Sequence, residues 1–330
     1  MRPGLARQLV EFGRTIRLSH TLFALPFALG AAVLASPPCP DGWSLALLVA
    51  CMVAARTAAM GMNRVADAAL DARNPRTAGR AIPAGRLSRG LALALALVSA
   101  AAFVALAWLF VRLRGNALPG LMAPAFLLIL LGYSWTKRLT VLTHWVLGLC
   151  LGLAPVGVWV ALWGNLDVAH LAGWREALEH ALTPLPLLIG AAVMFWTAGF
   201  DILYAIQDME VDRRQGLCSI PAKFGRRAAQ VIAAASHGAT VVLLGAALFI
   251  GSEPSLGLPG GPRGPMGPWS LAALAGIDIA LLVQHLLARR ASPERIAARF
   301  LLLNGLVGVL WLAGVIADVA TRPHYSGMID

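Results

Sequence analysis

Two stretches of the chain place polar side chains at helical spacing. Asn63, Asp67 and Asp71 recur every four residues, so on a helix they form one polar stripe. Asp208 and Asp212 repeat that spacing near the end of a second apolar run. Carboxylate and amide oxygens are the ligands that Mg²⁺ prefers, and Mg²⁺ is often shared with the phosphates of a substrate. The spacing therefore predicts a divalent-metal site at which the four aspartates would be ligands.

Each of these stretches lies at the end of an apolar run. An ionised carboxylate there is costly unless it is paired or binds a cation. The aspartates could instead cap helices or pair with arginines of the loops that follow. A single pair of aspartates would not distinguish these interpretations. Two pairs, with Asn63 and Asp201 beside them, favour the metal site.

Basic side chains surround both stretches in sequence. Lys137 and Arg138 stand out because they occupy a short loop beside Tyr133. Arginine binds phosphate oxygens through two parallel hydrogen bonds, and lysine acts as a point charge. These cations predict a diphosphate ligand, although a cytoplasmic excess of Lys and Arg would also account for most of them. The full set is Arg64, Arg73, Arg76, Arg80, Lys137, Arg138, Arg213 and Lys223.

Arg56 lies seven residues before Asn63, about two turns deeper on the same helix face. An arginine at that depth in a membrane indicates a functional site. It could bind a carboxylate of a substrate, or it could neutralise a neighbouring aspartate. The residues leave both interpretations open.

A metal-held diphosphate next to apolar helices is typical of a site for a prenyl donor. Loss of the diphosphate leaves an allylic cation that an electron-rich aromatic ring can attack, and Mg²⁺ with basic residues would stabilise the departing anion. Asp201 or another carboxylate could orient the acceptor or take the ring proton. Tyr133 and Tyr204 could stabilise the cation through their ring faces.

The composition predicts a polytopic membrane protein. Of 330 residues, 58% are hydrophobic and 13% are charged, and the mean hydropathy is +0.73. A soluble domain carries about 25% charged residues. An apolar surface of this extent excludes a soluble prenyl-chain elongase. The four cysteines and seven histidines form no zinc-binding pattern.

Nine apolar runs, most of about 18–25 residues, are candidates for membrane-crossing helices. We therefore expect an all-α bundle of about nine transmembrane helices around a central cavity, in a single domain over residues 1–330. Residues 1–18 are typical of an amphipathic interfacial segment, and the Gly/Pro-rich residues 251–268 of an irregular outer loop. The predicted spans are 19–36, 43–63, 91–111, 119–134, 143–163, 184–206, 229–250, 268–288 and 299–319.

The formal charge of +11 is distributed unevenly. Lys and Arg concentrate in the N-terminal segment and in the loops after the second, fourth, sixth and eighth spans. Because cytoplasmic loops carry such an excess, we expect a cytoplasmic N-terminus and a site that faces the cytoplasm from a bacterial-type inner membrane. The basic loops would attract lipid head groups or phosphates. They need no nucleic acid to explain them, and no obligate protein partner is evident.

Three ordered motifs resemble those of the UbiA family of intramembrane prenyltransferases. Ala55 to Asp71, continued by Asn74-Pro75-Arg76-Thr77, resembles the first aspartate-rich motif. Gly132 to Arg138 resembles the family's Tyr-x-x-x-Lys-Arg loop. Asp201 to Asp212, followed by Gly216 to Pro221, resembles the second motif.

The resemblance covers about residues 15–320 and implies a nine-helix bundle, Mg²⁺ dependence and transfer of a polyprenyl chain to an aromatic acceptor. The expected ligands are a polyprenyl diphosphate, an aromatic acid and membrane lipid. By position in the motifs, the resemblance implies that Asn63, Asp67, Asp71, Asp208 and Asp212 are the ligands of Mg²⁺ and the diphosphate. The predicted catalytic residues are Asp67, Asp71, Asp201, Tyr204, Asp208 and Asp212. The predicted substrate-binding residues are Arg56, Asn63, Arg64, Tyr133, Lys137, Arg138 and Lys223.

Within that family, the 4-hydroxybenzoate polyprenyltransferases of ubiquinone synthesis are the nearest group. Arg17 to Phe27 departs from their usual start and looks more like a branch proposed to prenylate a dihydroxynaphthoate on the futalosine route to menaquinone. The expected acceptor is therefore a hydroxylated aromatic acid, either 4-hydroxybenzoate or 1,4-dihydroxy-6-naphthoate.

Two other classes remain as weaker alternatives. A CDP-alcohol phosphotransferase would need an Asp-Gly-x-x-Ala-Arg lead before its aspartates, which this chain lacks. An ion-coupled transporter would place charges near the bilayer midplane on broken helices. Here the aspartates cluster at one membrane face beside basic loops.

Overall fold

The computed structural model describes residues 3–16, 24–37, 39–252, 266–290 and 293–321, and these residues contain helices and no strands. The α-helices are α1 (Leu5–Ile16), α2 (Leu25–Ala35), α3 (Gly42–Ala72), α4 (Arg89–Trp108), α5 (Phe110–Arg114), α6 (Leu118–Leu139), α7 (Thr143–Trp163), α8 (Trp174–Ala181), α9 (Pro184–Ala205), α10 (Met209–Arg214), α11 (Ile220–Ser252), α12 (Pro268–Arg290) and α13 (Pro293–Ala320).

Among these residues, eight helical segments are long and apolar enough to cross a membrane. They coincide with the second to ninth predicted spans, so the expected all-α membrane bundle is confirmed. The first predicted span contains α2, an apolar helix of 11 residues. Residues 19–23 of that span lie outside the described residues.

Helix α3 continues well beyond the predicted span. It begins where the Asp41 carboxylate accepts a hydrogen bond from the backbone N–H of Ser44 at 2.9 Å. It then runs for 31 residues to Ala72 because residues 64–72 are mostly strong helix formers. Such a helix is about 46 Å long, which exceeds the roughly 30 Å hydrocarbon layer. The Asn63 to Asp71 stripe is therefore helical, as its spacing predicts.

The second aspartate stretch does not form one continuous helix face. Helix α9 ends at Ala205, a 3₁₀ turn spans Ile206–Asp208, and α10 begins at Met209. A 3₁₀ turn winds more tightly than an α-helix, so it changes the direction of the side chains that follow it. Asp201 therefore lies on a different element from Asp208 and Asp212.

Helices α7 and α9 pack with their backbones in close contact. A Cβ atom at Gly148 would lie 2.2 Å from the carbonyl oxygen of Met194, and one at Gly152 would lie 2.3 Å from that of Gly190. Small residues permit such close approach, which replaces the hydrophobic driving force that helices lack in lipid. Helix α9 also packs along α11, so it is central in the bundle.

A carboxylate from α13 holds the start of α12. Asp318 accepts hydrogen bonds from the backbone N–H groups of Gly267, Trp269 and Ser270 at 2.8, 3.0 and 2.8 Å. These donors are part of the unpaired set that every helix N-terminus presents. Asp318 is 2% exposed, so it satisfies donors that would otherwise be buried without partners.

Three predicted connecting segments differ in detail. The segment 164–182, whose polar sequence predicts an outer loop, contains a 3₁₀ helix (Val168–Gly173) and α8 rather than only loop. The predicted irregular loop 251–268 lies mostly outside the described residues, and its ends belong to α11 and α12. Helix α1 covers most of the predicted interfacial segment, with Leu5, Leu9 and Val10 exposed and with Phe12 and Ile16 buried.

Candidate active site

A cavity of about 1110 Å³ opens among α3, α6, α7 and α9. Along α3 it extends from Arg64 to Leu48, about 24 Å of helix. Arginines line one end, and apolar side chains such as Phe103, Phe126 and Leu151 line the remainder. One continuous cavity therefore has a charged end and a long apolar remainder.

Asp67 is 3% exposed and receives three side chains. Lys137 Nζ lies 2.7 Å from its Oδ2, and Arg138 Nη2 lies 3.2 Å from its Oδ1. The Asn63 amide donates to Oδ2 at 3.1 Å, one turn away on α3. The inner end of α6 thus brings the predicted Lys-Arg pair onto the first aspartate stripe.

Asp71 is held by the segment that follows its own helix. Arg80 Nη1 lies 2.7 and 2.8 Å from the two carboxylate oxygens. The Thr77 hydroxyl donates to the Asp71 carbonyl at 3.1 Å, which turns this segment back over the end of α3. Arg80 also lines the cavity.

Asp208 joins the two aspartate stretches. The Asn74 amide donates to its Oδ1 at 3.0 Å, and Arg76 Nε donates to the same oxygen at 2.8 Å. Arg76 Nη2 also contacts Oδ2, and Nη1 donates to the Tyr204 hydroxyl at 3.3 Å. The Arg76 guanidinium lies 5.5 Å from the centre of the Tyr204 ring.

The charge of Arg76 is maintained by that contact. Burial acts against it, but the hydrogen bonds to Asp208 and the Coulombic attraction of that carboxylate outweigh burial and raise the pKa of Arg76. The guanidinium therefore stays cationic at the charged end of the cavity.

Asp212 is held by the four-residue segment 217–220. The Ser219 hydroxyl donates to Asp212 Oδ2 at 2.6 Å, and the Leu217 N–H donates to the Asp212 carbonyl at 2.9 Å. The Cys218 N–H donates to the carbonyl of Lys137 at 2.7 Å. The segment therefore fastens the second aspartate stretch to the end of α6.

Asp201 lies on the cavity wall and pairs with a histidine. His144 Nδ1 is 2.6 Å from Asp201 Oδ2, and the Ile220 N–H donates to His144 Nε2 at 3.3 Å. His144 is 2% exposed. Tyr204 lies one turn further along α9 and also lines the cavity.

Arg56, Arg64 and Tyr133 all line the cavity. Residues predicted to bind a substrate need such a position. Arg64 lies within α3, not in the loop where the sequence placed it. The Nε atom of Arg56 is buried and has no hydrogen-bond partner among the described residues. Arg56 therefore does not neutralise a neighbouring aspartate in this part of the chain, and the other interpretation of Arg56, a substrate carboxylate, remains.

Three of the predicted cations lie elsewhere. Lys223 and Arg73 are exposed and do not line the cavity. Arg213 donates to the Ala222 carbonyl at 2.9 Å and pairs with Glu210 at 3.1 Å, so it stabilises its own loop. For these residues the positive-inside pattern is the sufficient explanation.

The five predicted metal ligands do not form a cage by themselves. In the described part of the chain, no group of three or more His, Cys, Asp or Glu side chains is placed to hold a metal ion. The aspartates pair with Lys, Arg, Asn or Ser instead, because like-charged carboxylates repel without a cation between them. Mg²⁺ commonly takes one or two carboxylates and completes its shell with water and substrate phosphates. The donor set fits that arrangement.

The comparison with protein families identifies the chain. The model of the UbiA prenyltransferase family matches residues 24–306. The chain belongs to the UbiA prenyltransferase family. It is therefore an enzyme of prenyl transfer and an integral membrane protein, and the resemblance of its three motifs is confirmed.

Curated relatives of this UbiA-family chain carry one name. A 4-hydroxybenzoate octaprenyltransferase from Aeromonas hydrophila subsp. hydrophila is 30% identical over 309 residues, which is 94% of this chain and 95% of that protein. A protein of the same name from Xanthomonas campestris pv. campestris is 31% identical and covers 94% of this chain and 89% of its own length.

Solved structures share the fold. The apo structure of a UbiA homologue from Aeropyrum pernix K1 is 33% identical, has a TM-score of 0.75, and covers 92% of this chain and 98% of its own. A UbiA homologue from Archaeoglobus fulgidus, solved with DMAPP and Mg²⁺, is 19% identical and has a TM-score of 0.61. It covers 94% of this chain and 100% of its own.

Sequence reasoning missed three side chains that contact predicted site residues. Asn74 and Ser219 lie inside the motif continuations, but no role was predicted for either. His144 lies outside the motifs, and its partner Asp201 is 57 residues away. No periodic pattern connects residues at that separation, so only the fold reveals the pair.

Proposed function

We propose that this enzyme transfers a polyprenyl group from a polyprenyl diphosphate to the ring of a hydroxylated aromatic acid in quinone synthesis. One observation carries the proposal: Arg64, Arg76 and Arg80 line one end of a 1110 Å³ cavity whose remaining wall is mostly apolar. Arg76 and Arg80 also pair with Asp208 and Asp71 behind that wall. A diphosphate needs the first environment and a polyprenyl chain needs the second.

The diphosphate would bind where Arg76, Arg80, Lys137 and Arg138 converge. These cations now pair with Asp71, Asp208 and Asp67. An incoming diphosphate offers them stronger acceptors, and arginine matches phosphate oxygens in a bidentate geometry. The polyprenyl chain would then extend along the apolar wall toward Leu48.

Asn63, Asp67, Asp71, Asp208 and Asp212 would hold Mg²⁺ together with the diphosphate. When bound, Mg²⁺ neutralises charge that develops on the leaving diphosphate. Asp67, Asp71 and Asp208 already accept hydrogen bonds from lysine or arginine side chains, so these three charges are balanced before the donor enters. The cations would contribute the same kind of stabilisation from the protein side.

The acceptor would lie deeper, with its carboxylate on Arg56. The buried, unpartnered Nε of Arg56 supports this position. As the donor C1–O bond breaks, the diphosphate keeps the electron pair and the acceptor ring carbon bonds to C1. The ring carbon then loses its proton to Asp201, and the rings of Tyr133 and Tyr204 stabilise the intervening positive charge.

The names of the curated relatives favour 4-hydroxybenzoate as the acceptor. The segment Arg17 to Phe27 keeps 1,4-dihydroxy-6-naphthoate as the second candidate. Both are hydroxylated aromatic acids, so one site chemistry serves either. We further propose a single domain whose site faces the cytoplasm from a bacterial inner membrane, on the distribution of Lys and Arg.

A prenyl-transfer assay on purified protein in liposomes tests the proposal. Polyprenyl diphosphates of several lengths and Mg²⁺ would be offered with 4-hydroxybenzoate or with 1,4-dihydroxy-6-naphthoate. We expect a C-prenylated product from one acid, with Mg²⁺ required. If neither acid is prenylated while the folded protein still binds the diphosphate, the proposed acceptor class is wrong.

A further inference from the structure

His144 has a defined chemical state that follows from its two contacts. The Ile220 N–H donates to Nε2 at 3.3 Å, so Nε2 is an acceptor and carries no hydrogen. In a neutral imidazole the hydrogen then lies on Nδ1. Nδ1 is 2.6 Å from Asp201 Oδ2, so His144 donates to the carboxylate.

The contact with Ile220 is itself built by the 217–220 segment. Cys218 and Ser219, the two residues before Ile220, are hydrogen-bonded to Lys137 and Asp212. These bonds direct the Ile220 N–H inward, where Ile220 is 3% exposed. A buried N–H without a partner is costly, so the segment and the histidine stabilise each other.

The pairing leaves one oxygen of Asp201 available. His144 occupies Oδ2, and no other hydrogen bond to this carboxylate occurs within the described residues. Asp201 lines the cavity, and its side chain is 28% exposed, so Oδ1 can face a ligand there. Arg56 and Tyr204 line the same space.

We propose that His144 is a positioning residue whose Nδ1–H holds Asp201 so that its free oxygen meets the proton leaving the aromatic acceptor. This inference rests on the proposed function. The donor C1–O bond breaks with its electron pair on the diphosphate, and the ring carbon bonds to C1. The C–H electron pair returns to the ring and the proton goes to Asp201. His144 gains and loses no proton.

Kinetics of the full chain in liposomes test the role. We expect His144→Ala to lower kcat about 10- to 100-fold, as small misplacements of a reacting group do. The KM for the polyprenyl diphosphate should stay within about twofold, because His144 contacts none of its proposed ligands. His144→Asn, which keeps an N–H donor near Nδ1, should recover most of kcat.

Thr143→Ala is the matched control. It removes a hydrogen bond to Thr136 at the same end of α7 and leaves Asp201 untouched, so activity should be unchanged. An unaltered kcat in His144→Ala, or equal losses in the Asn and Ala variants, would overturn the proposal.

Nitrogen-15 NMR of histidine-labelled protein gives a second measurement that needs no turnover, with His144→Gln used to assign the signal. We expect a protonated Nδ1 and an unprotonated Nε2. The opposite tautomer would overturn the proposal even if the variants lose activity. If the wild type prenylates no aromatic acid, the proposed function and the inferred role both fail, and the NMR result still decides whether His144 donates to Asp201.

Discussion

The Lys137 ammonium lies 2.7 Å from Asp67 Oδ2, although 70 residues separate them in the chain. The contact joins the C-terminal parts of α6 and α3, about one turn beyond Tyr133 and Arg64, which line the cavity. Such a charge-assisted hydrogen bond at a half-buried site is among the stronger polar contacts. It also holds together an acidic and a basic group to which the proposed function assigns the metal ion and the diphosphate.

Replacing Asp67 by asparagine should lower prenyl transfer by at least about 100-fold. The amide keeps the shape and loses the charge that the metal and Lys137 require, and loss of one electrostatic contact to a transition state costs about 10²–10³ in rate. The measurement is kcat with saturating Mg²⁺. Asp167→Asn, an exposed carboxylate far from the cavity, is the control and should retain activity. Full activity in Asp67→Asn would refute the metal role.

Arg76→Lys should raise the KM for the polyprenyl diphosphate by about tenfold or more. Lysine keeps the charge, but it cannot contact Asp208 and Tyr204 together through a planar fork. Titration of the diphosphate at fixed acceptor concentration measures this. Arg175→Lys, on the outer segment, serves as the control. Equal KM values in both variants would mean that Arg76 acts as charge alone.

Arg56→Gln should weaken binding of the aromatic acid and leave the diphosphate unaffected. The proposed contact is between its buried guanidinium and the acceptor carboxylate, and loss of a hydrogen bond to a charged group costs about 1.5–3 kcal/mol. The acceptor KM should rise roughly 10- to 150-fold. A phenol without the carboxylate should be used equally well, or equally poorly, by wild type and variant. A selective loss with that phenol would contradict the assignment.

Asp318→Ala should lower the thermal stability of the bundle. Three N–H groups at the start of α12 would lose their acceptor, and the buried one, that of Ser270, would cost about 1–3 kcal/mol if left unsatisfied. The melting temperature in detergent should fall by several degrees. Asp278→Ala, which removes an exposed carboxylate from the middle of α12, is the comparison. A similar change in both variants would show that the cap contributes little.

Gly152→Ala should separate α7 from α9 and destabilise the protein. A Cβ would approach the Gly190 carbonyl oxygen to 2.3 Å, which only a backbone shift can relieve. Overpacking of this kind costs about 1–3 kcal/mol. Gly238→Ala has no atom within 4 Å of the added Cβ and should be neutral or slightly stabilising. Thermal unfolding of both variants provides the measurement.

Much of the site was predictable because its residues follow helix geometry. Asn63 and Asp67 are one turn apart on α3, and their predicted proximity appears as a hydrogen bond. The Lys-Arg pair was singled out from its position after an apolar span, but the predicted loop is wrong, because both residues lie in the last turn of α6. The break between Asp201 and Asp208 was not predictable, since the residues 206–208 carry no proline or glycine to signal it.

By itself the sequence determined the membrane bundle, the positions of eight of its spans and the acidic and basic residues of the candidate site, because these follow from hydrophobic length and local spacing. The tertiary structure alone decided which cation meets which aspartate, and it assigned Arg76 to Asp208 and Arg80 to Asp71. It also decided that His144 meets Asp201. Such pairs depend on how distant helices cross, and helix crossing is set by side-chain packing along the whole interface rather than by any local pattern.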